Sequence, residues 1–191
     1  MRIILASNSP RRRELLDQVG ICYEVIPSEI EENITKTRPE DVVKELAMEK
    51  ALDVAKRCIC EQTNTQPMTV IGADTIVAYN EHILGKPKDA KDALKMLTML
   101  SGQTHQVYTG VALARENLTV DVFAQMTEVT MYENTREQLM EYIATGEPMD
   151  KAGSYGIQGL GAVLVSEIQG DYNNVVGLPV AEVYRRMFLQ K

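Results

Sequence analysis

Histidine and cysteine are scarce in this 191-residue chain, and long apolar runs are missing. The two histidines, His82 and His105, lie far apart in sequence, which leaves no basis for a His-rich zinc site. The three cysteines, Cys22, Cys58 and Cys60, are an odd number. They suit free thiols in a reducing compartment better than a disulfide framework or a Cys/His metal site. Positive charge is in deficit: 20 Lys and Arg against 27 Asp and Glu give a formal net charge of −7. A protein that coats nucleic acid is usually basic overall, so no nucleic-acid partner is expected. A small phosphorylated ligand is still permitted, because a few well-placed cations suffice for one. No apolar stretch approaches the roughly 20 residues of a membrane span, and the opening Ile3–Ala6 run is too short for a signal peptide. No membrane partner and a cytoplasmic location are therefore expected. The chain also lacks a G-x-S-x-G elbow and a G-x-x-x-x-G-K-[ST] phosphate loop. Gly156, Gly159 and Gly161 are spaced wrongly for G-x-G-x-x-G, and no internal repeat is visible.

What is present reads as one α/β domain over residues 1–191. With 45% apolar and 25% charged residues, the chain has the composition of an ordinary globule. A short apolar strand, Arg2–Ala6, precedes Ser9-Pro10, where a hydroxyl N-cap and a proline at the first helical position start a helix ending at Gly20. Strands are expected near Cys22–Ile26, Val70–Tyr79, Val107–Ala114, Thr119–Met131 and Ala162–Ile168. Helices are expected from Pro39 to about Arg57, over Ala90–Leu100, from Asn134 (in a capping box with Glu137) to Thr145, and from Pro179 onward. Glu61–Pro67 reads as a polar linker and Gly153–Gly161 as a glycine-rich loop. Helices alternating with strands, some of them adjacent, predict a mixed, twisted sheet with flanking helices.

Several charges stand where apolar residues are expected. On a helical wheel, Leu15, Leu16 and Val19 mark the inner face of the first helix. Arg12 falls within that face and Arg11 at its edge, while Arg13 points away with Asp17 as its i+4 partner. Two guanidinium groups at a helix N-terminus oppose the helix dipole unless an anion compensates, so this end reads as an anion site. Lys50 sits in the centre of the stripe Val43, Leu46, Ala47, Ala51 and Val54. It either snorkels to the edge or meets negative charge, and a methionine there is expected to be tolerated. Asp74 interrupts the apolar run VIGADTIVAY. Such a carboxylate is costly unless paired, hydrogen-bonded or metal-bound, and Gly72 just before it permits close backbone approach. Lys86-Pro87-Lys88 forms a rigid cationic loop, and Glu29, Glu31 and Glu32 offer hard oxygen ligands of the kind that hold Mg²⁺ or Mn²⁺. Together these parts fit metal-assisted attack of water on a phosphoanhydride.

The same residues carry a family resemblance. Ser7-Asn8-Ser9-Pro10-Arg11-Arg12 resembles the S-x-S-P-R-R opening of the Maf proteins. Gly72-Ala73-Asp74-Thr75, Gly85-Lys86-Pro87, Leu100-Ser101-Gly102 and Val107-Tyr108-Thr109-Gly110 match later blocks in order, as do Asp150-Lys151-Ala152-Gly153 and Val176-Gly177-Leu178-Pro179. The resemblance implies an elongated two-lobed fold of the Maf and inosine-triphosphatase kind, with a central cleft. It also implies a cytoplasmic nucleotide pyrophosphatase that cuts between the α and β phosphates, releasing a nucleoside monophosphate and pyrophosphate. Gly156-Ile157-Gln158-Gly159 is similar to the branch acting on dTTP and UTP; the branch acting on 7-methyl-GTP carries a serine-glutamate-glycine sequence there. On this resemblance Asp74 is the catalytic base, and Arg11, Thr75 and Gln158 govern base choice. Ser9, Arg12, Lys50 and Lys86 hold phosphates, and Glu32 with Asp74 binds a divalent metal cation, Mg²⁺ or Mn²⁺. Gln158 suits its role because its amide offers a donor and an acceptor to a pyrimidine edge. The family is also associated with arrest of septum formation, so the alternative is a non-catalytic or dual-role nucleotide-binding regulator. The expected partners are nucleoside triphosphates, with a homodimer as the expected assembly.

Overall fold

A computed structural model describes residues 1–61, 67–80 and 82–189. The polar linker expected at Glu61–Pro67 lies for the most part outside the described residues. Among the described residues seven strands form a single sheet: β1 (Arg2–Leu5), β2 (Glu24–Val25), β3 (Met68–Tyr79), β4 (His82–Leu84), β5 (Thr104–Arg115), β6 (Val120–Met131) and β7 (Val165–Gln169). Their order is β2-β1-β3-β5-β6-β7, with β4 paired to β3. β1 runs parallel to β2 and β3, with Ile4 opposite Glu24 and Val70. The β3–β4 and β6–β7 pairs are antiparallel, so the sheet is mixed, as its alternation with helices predicts. The helices are α1 (Pro10–Gln18), α2 (Pro39–Glu61), α3 (Ala90–Leu100), α4 (Arg136–Ala144), α5 (Tyr172–Val176) and α6 (Val180–Tyr184).

Contacts divide the chain into two compact units. The first comprises Met1–Asp74, Thr109–Gln125 and Gly177–Lys191; the second comprises Thr75–Tyr108 and Met126–Val176. The first unit buries Ile4, Ala47, Ala51, Val54, Cys58, Val70 and Ala112 in one core. The second buries Val77, Leu97, Leu100, Val129, Leu139 and Tyr155 in its own. Among the described residues no helix is long and apolar enough to cross a membrane.

Close packing in the first unit depends on two glycines. A Cβ at Gly72 of β3 would lie 2.3 Å from the Ala47 carbonyl oxygen and 2.7 Å from the Ala51 nitrogen. One at Gly110 of β5 would lie 2.2 Å from the Val43 carbonyl oxygen. Backbone therefore rests on backbone between α2 and both strands, and only glycine fits.

Local signals set most boundaries, with corrections where longer-range contacts intervene. α3 has the expected limits: the Asp89 carboxylate accepts from the Asp92 N–H at 2.8 Å, and Gly102 takes a left-handed φ of +69° beyond its end. α2 continues past Arg57 to Glu61, because Cys58, one turn beyond Val54, extends the buried stripe. The capping box of α4 belongs to Thr135 and Gln138, not to Asn134 and Glu137. Asn134 is already engaged at the strand end, where its N–H donates to Ser101 Oγ at 2.8 Å and its amide to the Tyr132 carbonyl at 2.6 Å. β7 begins at Val165, later than expected, because Gly159–Leu164 forms a 3₁₀ turn. α5 has no counterpart in the sequence reading. Its Asn174 is buried and donates to the Val107 carbonyl and Thr127 Oγ1.

Candidate active site

The site is built in the first unit, from the middle of α2, the end of that unit's part of β3 and the loop before α2. Lys50 occupies the α2 face that packs on the sheet, flanked by fully buried Ala47 and Ala51. Contact of those alanines with Gly72 places Asp74, two residues along β3, within reach of the lysine. Lys50 Nζ donates to Asp74 Oδ1 at 2.6 Å. The same ammonium pairs with Glu32 Oε1 at 2.8 Å. The Lys50 and Asp74 side chains are 15% and 14% exposed, whereas Glu32 is about half exposed at 51%. The charge in the helical stripe thus meets negative charge and does not snorkel, and the carboxylate in the apolar strand has the partner its burial demands. The negative charge that meets Lys50 is supplied by the protein's own carboxylates.

This finding changes the expectation for Lys50→Met. Methionine matches the apolar stripe but removes the ammonium that pairs Asp74 with Glu32, leaving the Arg12 charge nearby to offset them. A loss of about 1–3 kcal/mol is expected, below the roughly 3–5 kcal/mol of a fully buried broken pair because both carboxylates keep some solvent. Thermal unfolding of Lys50→Met checks this; an unchanged or higher midpoint would show that the triad contributes no net stability.

α1 supplies the cationic flank. Pro10 stands at its first turn after Ser9, as expected, but the Ser9 side chain makes no capping hydrogen bond. Ser7 takes the polar role instead. Its Oγ accepts from the Ser9 N–H at 3.2 Å and from Arg12 Nη1 at 3.1 Å. Arg12 Nε donates to the Gly177 carbonyl at 2.8 Å. Burial pushes the Arg12 guanidinium below the ordinary arginine value; nearby Asp74 and Glu32 oppose that shift, and Arg11 adds to it. Arg12 therefore shares an electrostatic neighbourhood with the carboxylate pair, as its inward wheel position predicts. Arg13 is less solvated than the wheel implies: it donates to Asn8 Oδ1 at 3.4 Å, and its Nε is buried.

The acidic run does not act as a group. Glu29 presents its N–H to Asp53 Oδ2, Glu31 is exposed, and Glu32 alone turns to Lys50. Among the described residues no cluster of three or more His, Cys, Asp or Glu side chains could hold a metal. Two carboxylates nevertheless converge on one cationic atom. That donor set fits Mg²⁺, which commonly takes one or two protein carboxylates and completes its octahedron with waters and substrate phosphates.

Thr75, Lys86 and Gln158 belong to the second unit. Thr75 is half-buried on β3. Lys86 is exposed in the loop before α3, beside buried Pro87 and next to Gly85, whose carbonyl accepts from the Gly153 N–H at 3.1 Å. Gln158 is half-buried in the loop leading into the 3₁₀ turn. Sequence reasoning missed Ser7 and Gly177, which orient Arg12. Ser7 stands in the S-x-S-P-R-R block and was the available signal; a backbone carbonyl 165 residues from its donor left none.

A model of the Maf-like protein family matches residues 2–189. The chain belongs to the Maf family. Among Maf-like relatives, a protein of Bacillus cytotoxicus named dTTP/UTP pyrophosphatase is 54% identical over 187 residues, covering 97% of this chain and 94% of that protein. One of the same name from Agathobacter rectalis is 51% identical over 196 residues, covering 97% and 96%. A solved structure with some likeness is the nucleoside-triphosphatase / dITP/XTP pyrophosphatase of Mycobacterium abscessus, at 14% identity and a TM-score of 0.46, over 98% of this chain and 93% of that one.

Proposed function

We propose that this Maf-like chain is a nucleotide pyrophosphatase that hydrolyses dTTP and UTP to the monophosphate and pyrophosphate. The observation that carries this reading is the Lys50–Asp74–Glu32 cluster beside Arg12, in a chain about half identical to proteins named for that activity. None of its three cysteines is in a disulfide, which accords with a reducing cytoplasm.

In this reading water attacks the α-phosphorus, the bond from that phosphorus to the bridging oxygen breaks, and pyrophosphate leaves with the electron pair. Asp74 accepts the proton of the attacking water. Lys50 engages Asp74 through Oδ1, and Oδ2 is the atom assigned to the water. The Lys50 ammonium has three donors; two meet Asp74 and Glu32, and the third is assigned to a phosphate oxygen. Arg12 adds fixed positive charge for the triphosphate, oriented by Ser7 and the Gly177 carbonyl. Asp74 and Glu32 would hold a divalent cation, which when bound would polarise the phosphoryl oxygens. Lys86 is assigned to phosphate, and Thr75, Arg11 and Gln158 to base choice.

The decisive experiment incubates the protein with a panel of nucleoside triphosphates and follows pyrophosphate release, with Mg²⁺, with Mn²⁺ and with excess chelator. Pyrophosphate is expected from dTTP and UTP with either metal, at least about tenfold faster than from CTP or the purine nucleotides, as expected for one or more mismatched buried hydrogen bonds. Chelator is expected to abolish release. Tight nucleotide binding without pyrophosphate release would replace the catalytic reading with the regulatory one.

A further inference from the structure

The loop that carries Gln158 is held by a carboxylate with no assigned role in the reaction. Glu147 lies in the short 3₁₀ turn Glu147–Asp150 after α4. Its Oε2 accepts from the Leu160 N–H at 2.9 Å, and its Oε1 from the Gly161 N–H at 3.1 Å. The Tyr142 hydroxyl donates to Oε1 at 2.9 Å and accepts from the Gly156 N–H at 3.1 Å. Both ends of the Gly156–Gly161 segment are thereby tied to one Tyr–Glu pair, and Gln158 stands between the ties.

The glycines of this segment are spaced to admit that pair. A Cβ at Gly159, where φ is +72°, would meet Glu147 Oε2 at 2.7 Å. One at Gly161 would meet the Gly156 carbonyl oxygen at 2.3 Å and the Tyr142 hydroxyl at 2.7 Å. Side chains at these positions would push the loop off its anchor. Ile157, beside Gln158, is buried, so the chain on that side is fixed as well. The Glu147 carboxylate is settled as an anion. Burial works against its charge, but the Leu160 and Gly161 N–H groups, the Tyr142 hydroxyl and Lys151 outweigh that effect and hold it below the ordinary glutamate value.

We infer that Glu147 and Tyr142 are positioning residues for base selectivity: their hydrogen bonds to Gly156, Leu160 and Gly161 fix the loop conformation in which Gln158 reads the nucleobase. This inference rests on the reading of Gln158 as the base-choosing residue. Uracil and thymine present the same O2, N3–H and O4 edge, whereas cytosine exchanges N3–H for an acceptor and O4 for an amino donor. A single amide distinguishes these patterns only if the loop holds its donor and acceptor in register. Loosening the loop removes discrimination without touching the proton transfer, so the loss is expected mainly as a raised KM for UTP.

The test is kcat/KM for UTP, dTTP and CTP, with the thermal midpoint, on the wild type and on Gln158→Ala, Glu147→Gln and Tyr142→Phe. Glu147→Gln replaces one acceptor oxygen by a donor; Tyr142→Phe deletes one hydroxyl with little change of volume and serves if the first variant fails to fold. Both are expected to lower the UTP/CTP ratio by about 5- to 20-fold. A uniform loss of folded protein leaves that ratio unmoved, so a merely structural role would not produce this result. If Gln158→Ala lowers the ratio and neither anchor variant does, the positioning role is overturned and Gln158 keeps its assignment. If the anchor variants lower it and Gln158→Ala does not, the anchor stands and another residue of the loop reads the base. An unchanged ratio in all three variants overturns both assignments.

Discussion

Asp74→Asn is expected to fold normally and to lose at least about 100-fold in turnover, the usual consequence of removing a general base. Asparagine is nearly isosteric, and its side-chain oxygen can still accept from Lys50, which meets Asp74 Oδ1 at 2.6 Å in the native chain. Lys50 also keeps Glu32 as a counter-ion at 2.8 Å, so no buried cation is left unpaired and the thermal midpoint should move little. What disappears is a group that can take a proton from water, together with one of the two carboxylates proposed to hold a divalent ion. Pyrophosphate release and thermal unfolding on the same preparation separate the two effects. Near-normal turnover in a folded Asp74→Asn protein would remove Asp74 from the mechanism and direct attention to Glu32.

Gly72→Ala is expected to be among the most destabilising single-methyl additions in the first unit. The new Cβ would lie 2.3 Å from the Ala47 carbonyl oxygen, 2.7 Å from the Ala51 nitrogen and 2.8 Å from the Ala51 Cβ. The opposing atoms are helix backbone and a methyl group, with no flexible side-chain end to swing aside. The helix or the strand must retreat. Overpacking of this kind costs about 1–3 kcal/mol and occasionally more, and the upper part of that range applies here. At roughly 2–4 °C per kcal/mol for a chain of this size, a fall of about 5–10 °C in thermal midpoint is expected. Activity should fall as well, because Lys50 lies between Ala47 and Ala51, and retreat of α2 draws its ammonium away from Asp74. A midpoint within a degree of wild type would mean that α2 and β3 have slack at this point.

How much of this was legible in the sequence depends on the range of the signal. The limits of α3 were readable because its apolar stripe and Gly102 lie within the helix or just beyond it; the Asp89 cap was added by the structure. The box at α4 was displaced by one residue because Asn134 is diverted to Ser101, 33 positions away, a competition that no local pattern reveals. The wheels marked Arg12 and Lys50 as charges on inward faces, and the apolar run marked Asp74, since burying an unpaired charge is costly enough to make each one conspicuous. The partner of each charge was not marked. Glu29, Glu31 and Glu32 are indistinguishable as an acidic run, and only the family resemblance singled out Glu32, the one that reaches Lys50.

The chain alone therefore determined the α/β alternation, the family blocks and the set of charges that need explaining, because periodicity and burial cost act over one or two turns of chain. Tertiary structure decided which charges neutralise one another. Lys50 and Asp74 are 24 residues apart and meet because Gly72 lets β3 lie on the backbone of α2. It also decided that Glu147, which reads as one more surface carboxylate, ties down a loop 13 and 14 residues further along. A carboxylate's role is set by the N–H groups that converge on it, and that convergence exists only once the loop has folded back.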